Sequence, residues 1–195
     1  MDNADDRIQA LEARLRLLED DKAIRELIAD YGFNADQGRG EEYVNLFTED
    51  GILDLSIGPG APSSSTAKGD GEPSPIEGLI GVTAGRLEDI EDGEVIMRFE
   101  GHENLRTFIT RPKPKALKGM ILHFMGNNLK TAIDGDSAVA ESYNVSLIRR
   151  GTEFSIVNAA VNRWILERID GRWRIKECFR RRPGTEDYGK VLAGA

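Results

Sequence analysis

Three residues carry the chemistry that this chain offers without a cofactor. Tyr31 and Asp36 lie in the run YGFNAD at the end of a predicted helix, and His123 lies in LHFMGNN at the start of a predicted strand. An imidazole is a suitable proton acceptor near neutral pH, and whatever binds one ring nitrogen sets the tautomer at the other. A carboxylate on one nitrogen leaves the second free to take a proton, as in a catalytic triad without its serine. A nearby phenol can donate to an oxygen that gains charge. Together the three would form a compact acid–base unit. Each also has an ordinary reading. His123 alone reads as a core histidine bonded to a carbonyl. Asp36 reads as a helix-end or turn residue before Gly38 and Gly40. Tyr31 continues an apolar helix stripe, where aromatic residues are usually core.

The elements that must position these residues follow from periodicity. Residues 5–32 read as a helix. Ile8, Leu11, Leu15 and Leu18 recur at helical spacing, and Ile24, Leu27, Ile28 and Tyr31 continue on a shifted face. The shift at Glu19–Lys22 marks a site for a kink. The first part, residues 1–18, is a charged extension with a leucine stripe, read either as a packing surface for a neighbouring subunit or as a solvated arm. Asp36 to Gly40 breaks the helix. Glu41–Phe47 reads as a short helix and Gly51–Ile57 as a strand. Residues 58–94 form an insertion whose Gly-, Pro- and Ser-rich part, Gly58–Pro75, suits no regular element. Loops of that length are commonly functional, so it reads as a lid over the pocket or as a tolerated surface insertion.

Val95–Phe99 is a second predicted strand, and Gly101 opens a short helix that Pro112 and Pro114 end. His102, at its start, reads as a capping or surface residue. Met120–Ile133, Ala138–Arg150, Phe154–Ile169 and Trp173–Phe179 are predicted strands, and Asp170-Gly171 is a strong hairpin signal. Helices first and an antiparallel meander afterwards predict one α+β domain over residues 1–195, a curved sheet wrapped over a few helices.

Composition narrows the function classes. The chain has 195 residues, 39% hydrophobic and 31% charged, with a net charge of −8. That balance argues against a nucleic-acid or anionic-membrane partner. The lone Cys178 excludes an intrachain disulfide framework and a cysteine metal cluster. Two histidines without an HxH or HExxH pattern, and the absence of a nucleotide-binding glycine motif, point to a protein with no metal or cofactor. No long apolar run spans a membrane, and the acidic start MDNADDR is not signal-like, so the chain reads as soluble and cytoplasmic.

The segment DDKAIRELIADYGFNADQGRGEEYVNLFTEDGIL resembles the SnoaL-like branch of the nuclear transport factor 2-like superfamily. FEGHENLRTFI, LHFMGNNLKTAIDGDSAVAESY and WILERIDGRWRIKECFRR extend the likeness over most of the chain outside about residues 1–18 and 58–94. The resemblance implies a cone-shaped α+β fold in which a strongly curved sheet and the N-terminal helices enclose one apolar pocket. Its dehydratase-like members include scytalone dehydratase, hexachlorocyclohexane dehydrochlorinase and bile-acid 7α-dehydratase. They carry an Asp after the first long helix and a His at the start of the long middle strand, the places held here by Asp36 and His123. Tyr31, five residues before the Asp, matches bile-acid dehydratase. An Arg on the last strand of that enzyme aligns best with Arg182, with Arg180 and Arg181 as the other inward-facing choices. Ser146 stands where that enzyme has a further Asp, and the second His of scytalone dehydratase has no counterpart.

The resulting expectation is a cofactorless lyase. His123, held by Asp36, removes a proton, while Tyr31 or an arginine supports a developing oxygen anion. The reaction is a dehydration or an aldehyde-releasing carbon–carbon cleavage. Phe33, Phe47, Phe124, Met125, Trp164 and Phe179 are the apolar pocket candidates and imply a small, largely apolar substrate, aromatic or polycyclic. Strand alternation adds Asn127 on the side of His123, and Asn144, Asn158 and Asn162 are further polar residues within apolar strands. A ketosteroid-isomerase-like proton shuttle and a non-catalytic binding or assembly module remain alternatives on the same fold. The resemblance and the leucine stripe also imply a homo-oligomer, dimer or trimer.

Overall fold

The computed structural model describes residues 4–57, 95–110, 118–126, 128–183 and 188–189. The loop read as a lid or insertion lies outside them. Helix α1 spans Ala4–Gln37, one continuous helix where a kink was allowed for. Ile24, Leu27, Ile28 and Tyr31 are buried at helical spacing, whereas residues 4–19 are all exposed. The helix also runs past the predicted break, which places Asp36 in its last turn. It ends at Gly38, whose φ of +63° takes the left-handed conformation that glycine supplies at little cost. Gly38 N–H then bonds Ala35 O at 3.2 Å, and Arg39 N–H bonds Asn34 O at 2.9 Å, satisfying carbonyls that the helix leaves open.

Helix α2 is only Gly40–Val44, and Phe47, expected in it, begins strand β1 (Phe47–Ile57). Strand β2 (Val95–Glu100) leads directly into helix α3 (Gly101–Thr110). Strands β3 (Ile121–Phe124), β4 (Lys130–Asp134), β5 (Ser137–Arg150), β6 (Glu153–Ile169) and β7 (Arg172–Arg181) follow. The sheet order is β2-β1-β7-β6-β5-β3, with β4 also on β5. Pairing is antiparallel throughout except between β1 and β7, which run parallel. The result is a large, curved, unclosed mixed sheet with the helices on one face, the architecture that the sequence implied. In the β6–β7 hairpin Asp170 and Gly171 have φ of 51° and 74°, the two positive values that a type I′ turn requires.

One predicted strand is two. Residues 120–133 read as a single run, but β3 and β4 pair with separate stretches of β5, Val145–Ile148 and Ser137–Glu141. Met125 and Leu129, between them, are buried in the core rather than standing in a ladder.

A polar latch fixes α1 to the sheet. Arg168 on β6 donates to both Asp20 carboxylate oxygens at 2.6 Å, and to Asp136 at 2.9 Å. Its guanidinium lies 4.5 Å from the Trp173 ring centroid, and Trp173 Nε1–H also donates to Asp20 at 3.2 Å. Beyond this point Ile24, Leu27, Ile28, Leu53, Trp164 and Ile175 form the buried core between the helices and the sheet. No helix among the described residues is long and apolar enough to cross a membrane.

Candidate active site

Asp36 reaches His123 from the last turn of α1. Its Oδ1 lies 2.5 Å from His123 Nδ1, and its Oδ2 accepts the His123 backbone N–H at 3.0 Å. The carboxylate therefore holds both the ring and the strand that carries it. A carboxylate against Nδ1 makes that nitrogen the proton-bearing one and leaves Nε2 as the basic position. No hydrogen bond engages Nε2 among the described residues. Both side chains are mostly shielded, 17% and 12% exposed. Helix and strand pack at ordinary contact distance here: a Cβ added at Gly32 would stand 3.5 Å from His123 O.

His123 pairs in register with Ser146 on β5. Cross-strand partners point to the same face, so Ser142, Asn144, Ser146 and His123 share the face toward α1. On β6 the same face carries Asn162 and Trp164, and on β7 it carries Cys178 and Arg180. Trp164 Nε1–H donates to Ser142 Oγ at 3.1 Å. Burial drives the Cys178 thiol up to about 12, which leaves it an inert core residue rather than a nucleophile.

Tyr31 lies among aromatic rings. Its centroid is 4.8 Å from Tyr43, 5.1 Å from Trp164 in an edge-on contact, and 6.1 Å from Phe47. Its hydroxyl oxygen accepts a long hydrogen bond from Arg180 Nη2 at 3.4 Å. Burial raises the phenol above its ordinary value, and the Arg180 charge pulls the other way. Arg180 Nε–H also donates to Asn162 Oδ1 at 2.8 Å, and Nη2 lies 3.9 Å from Met125 Sδ.

The structure thus joins Tyr31 to Arg180, Phe47 and Trp164, and Arg180 to Asn162 and Met125, with the Asp36–His123 pair about one and a half helical turns further along α1. It corrects four expectations. Arg180, not Arg182, is the inward arginine, because β7 ends at Arg181 and Arg182 lies half-buried beyond it. Phe33 is 60% exposed, since two residues along a helix from Tyr31 is roughly 200° around its axis. Phe124 is 44% exposed, because the neighbour of His123 on a strand points to the opposite face. Phe179 is turned outward by the same alternation and packs beside Arg181, 5.9 Å from its guanidinium. Asn127 lies outside the described residues. Tyr43 and Ser142 are inner residues that sequence reasoning did not single out for the site. His102 Nε2 lies 3.2 Å from Phe47 O, apart from the other site residues.

Three inner polar atoms make no hydrogen bond among the described residues: both side-chain polar atoms of Asn144, and Asn162 Nδ2. No group of three or more His, Cys, Asp or Glu side chains among the described residues is arranged to hold a metal ion. A groove of about 550 Å³ lies elsewhere, between the outer half of α1 and the Arg168 latch, bordered by Arg16, Leu17, Ile133 and Asp136. It includes none of the site residues.

A family model for the SnoaL-like domain matches residues 16–72 and 87–178, and the chain belongs to that family. Among solved structures, it is similar to an NTF2-like protein with a cystatin-like fold from Novosphingobium aromaticivorans. The two are 25% identical over 98% of each chain, with a TM-score of 0.69. A proposed scytalone dehydratase from the same organism matches with 15% identity over 84% of each chain and a TM-score of 0.54. The beta subunit of a proposed aromatic-ring-hydroxylating dioxygenase from that organism matches with 18% identity and a TM-score of 0.55, over 82% of this chain and 86% of its own. These last two likenesses speak for the fold alone. No curated protein matches the chain.

Proposed function

We propose that this protein is a cofactor-independent lyase for a small, largely apolar hydroxylated substrate, aromatic or polycyclic. The observation that carries the reading is the 2.5 Å contact between Asp36 and His123 Nδ1, which leaves Nε2 as a base. In a dehydration, Nε2 takes a proton from carbon, the carbon–oxygen bond breaks, and the departing hydroxyl gains a proton to leave as water. In a retro-aldol cleavage, Nε2 takes the hydroxyl proton and the carbon–carbon bond breaks. The aldehyde leaves, and its electron pair passes to the remaining fragment, which is then protonated. Tyr31 and Arg180 support the oxygen that gains charge. The same residues serve both reactions, and an isomerising proton shuttle needs only the first half of the dehydration. The rings of Tyr31, Tyr43, Phe47 and Trp164 support an aromatic or polycyclic substrate.

Proton transfer can be tested before the bond broken is known. The protein is incubated in D2O with a panel of β-hydroxy ketones and aryl-substituted alcohols. Exchange at carbon is followed by NMR, and water loss or aldehyde release by mass spectrometry. Turnover or exchange that disappears in His123→Ala is expected. Activity of that variant equal to the wild type would remove the base from the mechanism.

A binding or assembly role is the second reading, and the exposed residues 4–19 of α1 favour an assembly component to it. We further propose that the chain works as a homodimer or homotrimer in the cytoplasm, with Leu11, Leu15 and Leu18 covered by a second copy.

A further inference from the structure

Arg180 and Arg181 are neighbours on β7, both buried, on opposite faces of the sheet. Arg181 has a carboxylate: its Nη1–H donates to Asp54 Oδ1 at 2.7 Å. Arg180 has none among the described residues. Its contacts are the Asn162 amide oxygen, the Tyr31 hydroxyl and the Met125 sulfur. A guanidinium taken out of water without a counter-charge is strongly unfavourable, which is why buried charges are normally paired. Nη1 of Arg180 makes no hydrogen bond among the described residues, although the group carries five N–H donors in a fixed fork suited to paired oxygens.

The surroundings point the same way. Asn162 pairs in register with Arg180, and its Nδ2 donor is unpartnered. Asn144, fully buried on the adjacent strand, has no partner for either side-chain polar atom. The same face thus gathers a cation and unpartnered amide groups, with Asp36 engaged elsewhere by His123. The unpartnered groups include one amide acceptor, Asn144 Oδ1, but no carboxylate, so the set as a whole carries a positive charge.

We infer that this inner face binds the substrate through an oxygen that is already anionic, a phenolate or a carboxylate, seated on Arg180 and Asn162. The inference rests on the reading of the face as the substrate site, and it adds the substrate's charge. Arg180 and His123 lie three inter-strand spacings apart across the sheet, about 14 Å, and four residues apart along it, since His123 pairs through Ser146 with Asn158 whereas Arg180 pairs with Asn162. Over the sheet, α1 links the two ends: Tyr31, which Arg180 contacts, and Asp36, which holds His123, are five residues or about 7.5 Å apart along the helix. The anionic oxygen is held at one end and the reacting atoms meet His123 at the other. Tyr31 and Trp164 flank the ring between them.

Two matched pairs of probes test this without knowledge of the substrate: 4-nitrophenol against 4-nitroanisole, and benzoate against benzamide. Calorimetry gives each affinity, and absorbance reports whether bound nitrophenol is ionised at a pH below its own pKa. An anion should bind the wild type about tenfold or more tightly than its neutral partner, the scale of a charge-assisted hydrogen bond. Arg180→Met should remove that preference, while His123→Gln should keep it. Preference for nitrophenolate alone identifies a phenolate site, and preference for benzoate alone a carboxylate site. Equal affinity for anion and neutral partner, or binding of neither anion, overturns the inference. The comparison in the wild type stands even if Arg180→Met does not fold. Failure here with intact proton exchange leaves the lyase reading in place. Anion binding without any His123-dependent exchange removes the lyase reading and keeps the site.

Discussion

Asp36 holds His123 by two hydrogen bonds at once, one to the ring nitrogen Nδ1 at 2.5 Å and one from the backbone N–H at 3.0 Å. A carboxylate so used fixes the tautomer, the ring orientation and the position of β3 relative to α1. His123→Ala should therefore lower turnover by about 10² or more, the low end for general acid–base catalysis. Asp36→Asn should cost a similar factor, because the amide provides neither the charge nor two acceptors. The double variant should be little worse than either single one, since groups acting as a unit are not additive. Steady-state kinetics on the four forms checks this; fully additive losses would separate the two residues.

Tyr31 combines packing and chemistry, and the two can be parted. Tyr31→Phe keeps the ring against Tyr43, Trp164 and Phe47 and removes only the oxygen that Arg180 contacts at 3.4 Å. Stability should change by about 1 kcal/mol or less. Turnover should fall about tenfold or more if the hydroxyl serves the reaction. A thermal midpoint and a kcat measured on the same preparation give both readings. An unchanged kcat would return Tyr31 to the core.

The latch under α1 should be sensitive to acid. The hydrogen bond from Arg168, with that from Trp173, holds Asp20 below its ordinary carboxylate value against the opposing effect of burial. A depressed folded-state pKa contributes stability above the unfolded-state value, and that contribution is lost as pH falls through the folded one. Asp20→Asn should lower stability by about 1–3 kcal/mol at neutral pH. The gap from wild type should close as pH drops below about 4. Urea midpoints measured across that range test it, and a gap independent of pH would assign Asp20 a packing role only.

The outer half of α1 has no covering element among the described residues, and Leu18 is 69% exposed. Replacing Leu11, Leu15 and Leu18 by Ser should shift the mass in light scattering toward the monomer while leaving the far-UV signal of the sheet in place. A wild-type chain that is already a monomer at micromolar concentration would contradict the oligomer.

Much of this was legible in the residues. The stripe Ile24–Leu27–Ile28–Tyr31 placed α1, Asp170-Gly171 placed a hairpin, and the order of segments placed the fold, because these are local patterns with a fixed period. Tyr31, Asp36 and His123 were legible as chemistry and as matched family positions. What the tertiary structure decided is orientation. Strand alternation says that Arg180 and Arg181 face opposite ways, but only the pairing of Arg180 with Asn162 and the contact with Tyr31 say which way is inward. Phe33 and Phe124 look like pocket residues by type and are exposed by position, two residues along the helix from Tyr31 and one along the strand from His123. The break between β3 and β4 was invisible because its apolar residues, Met125 and Leu129, are buried in the core. Composition records what a side chain is, and local period records its neighbours along the chain. Which face meets α1 depends on contacts between elements far apart in sequence, as when Asp36 closes on His123 across 87 residues.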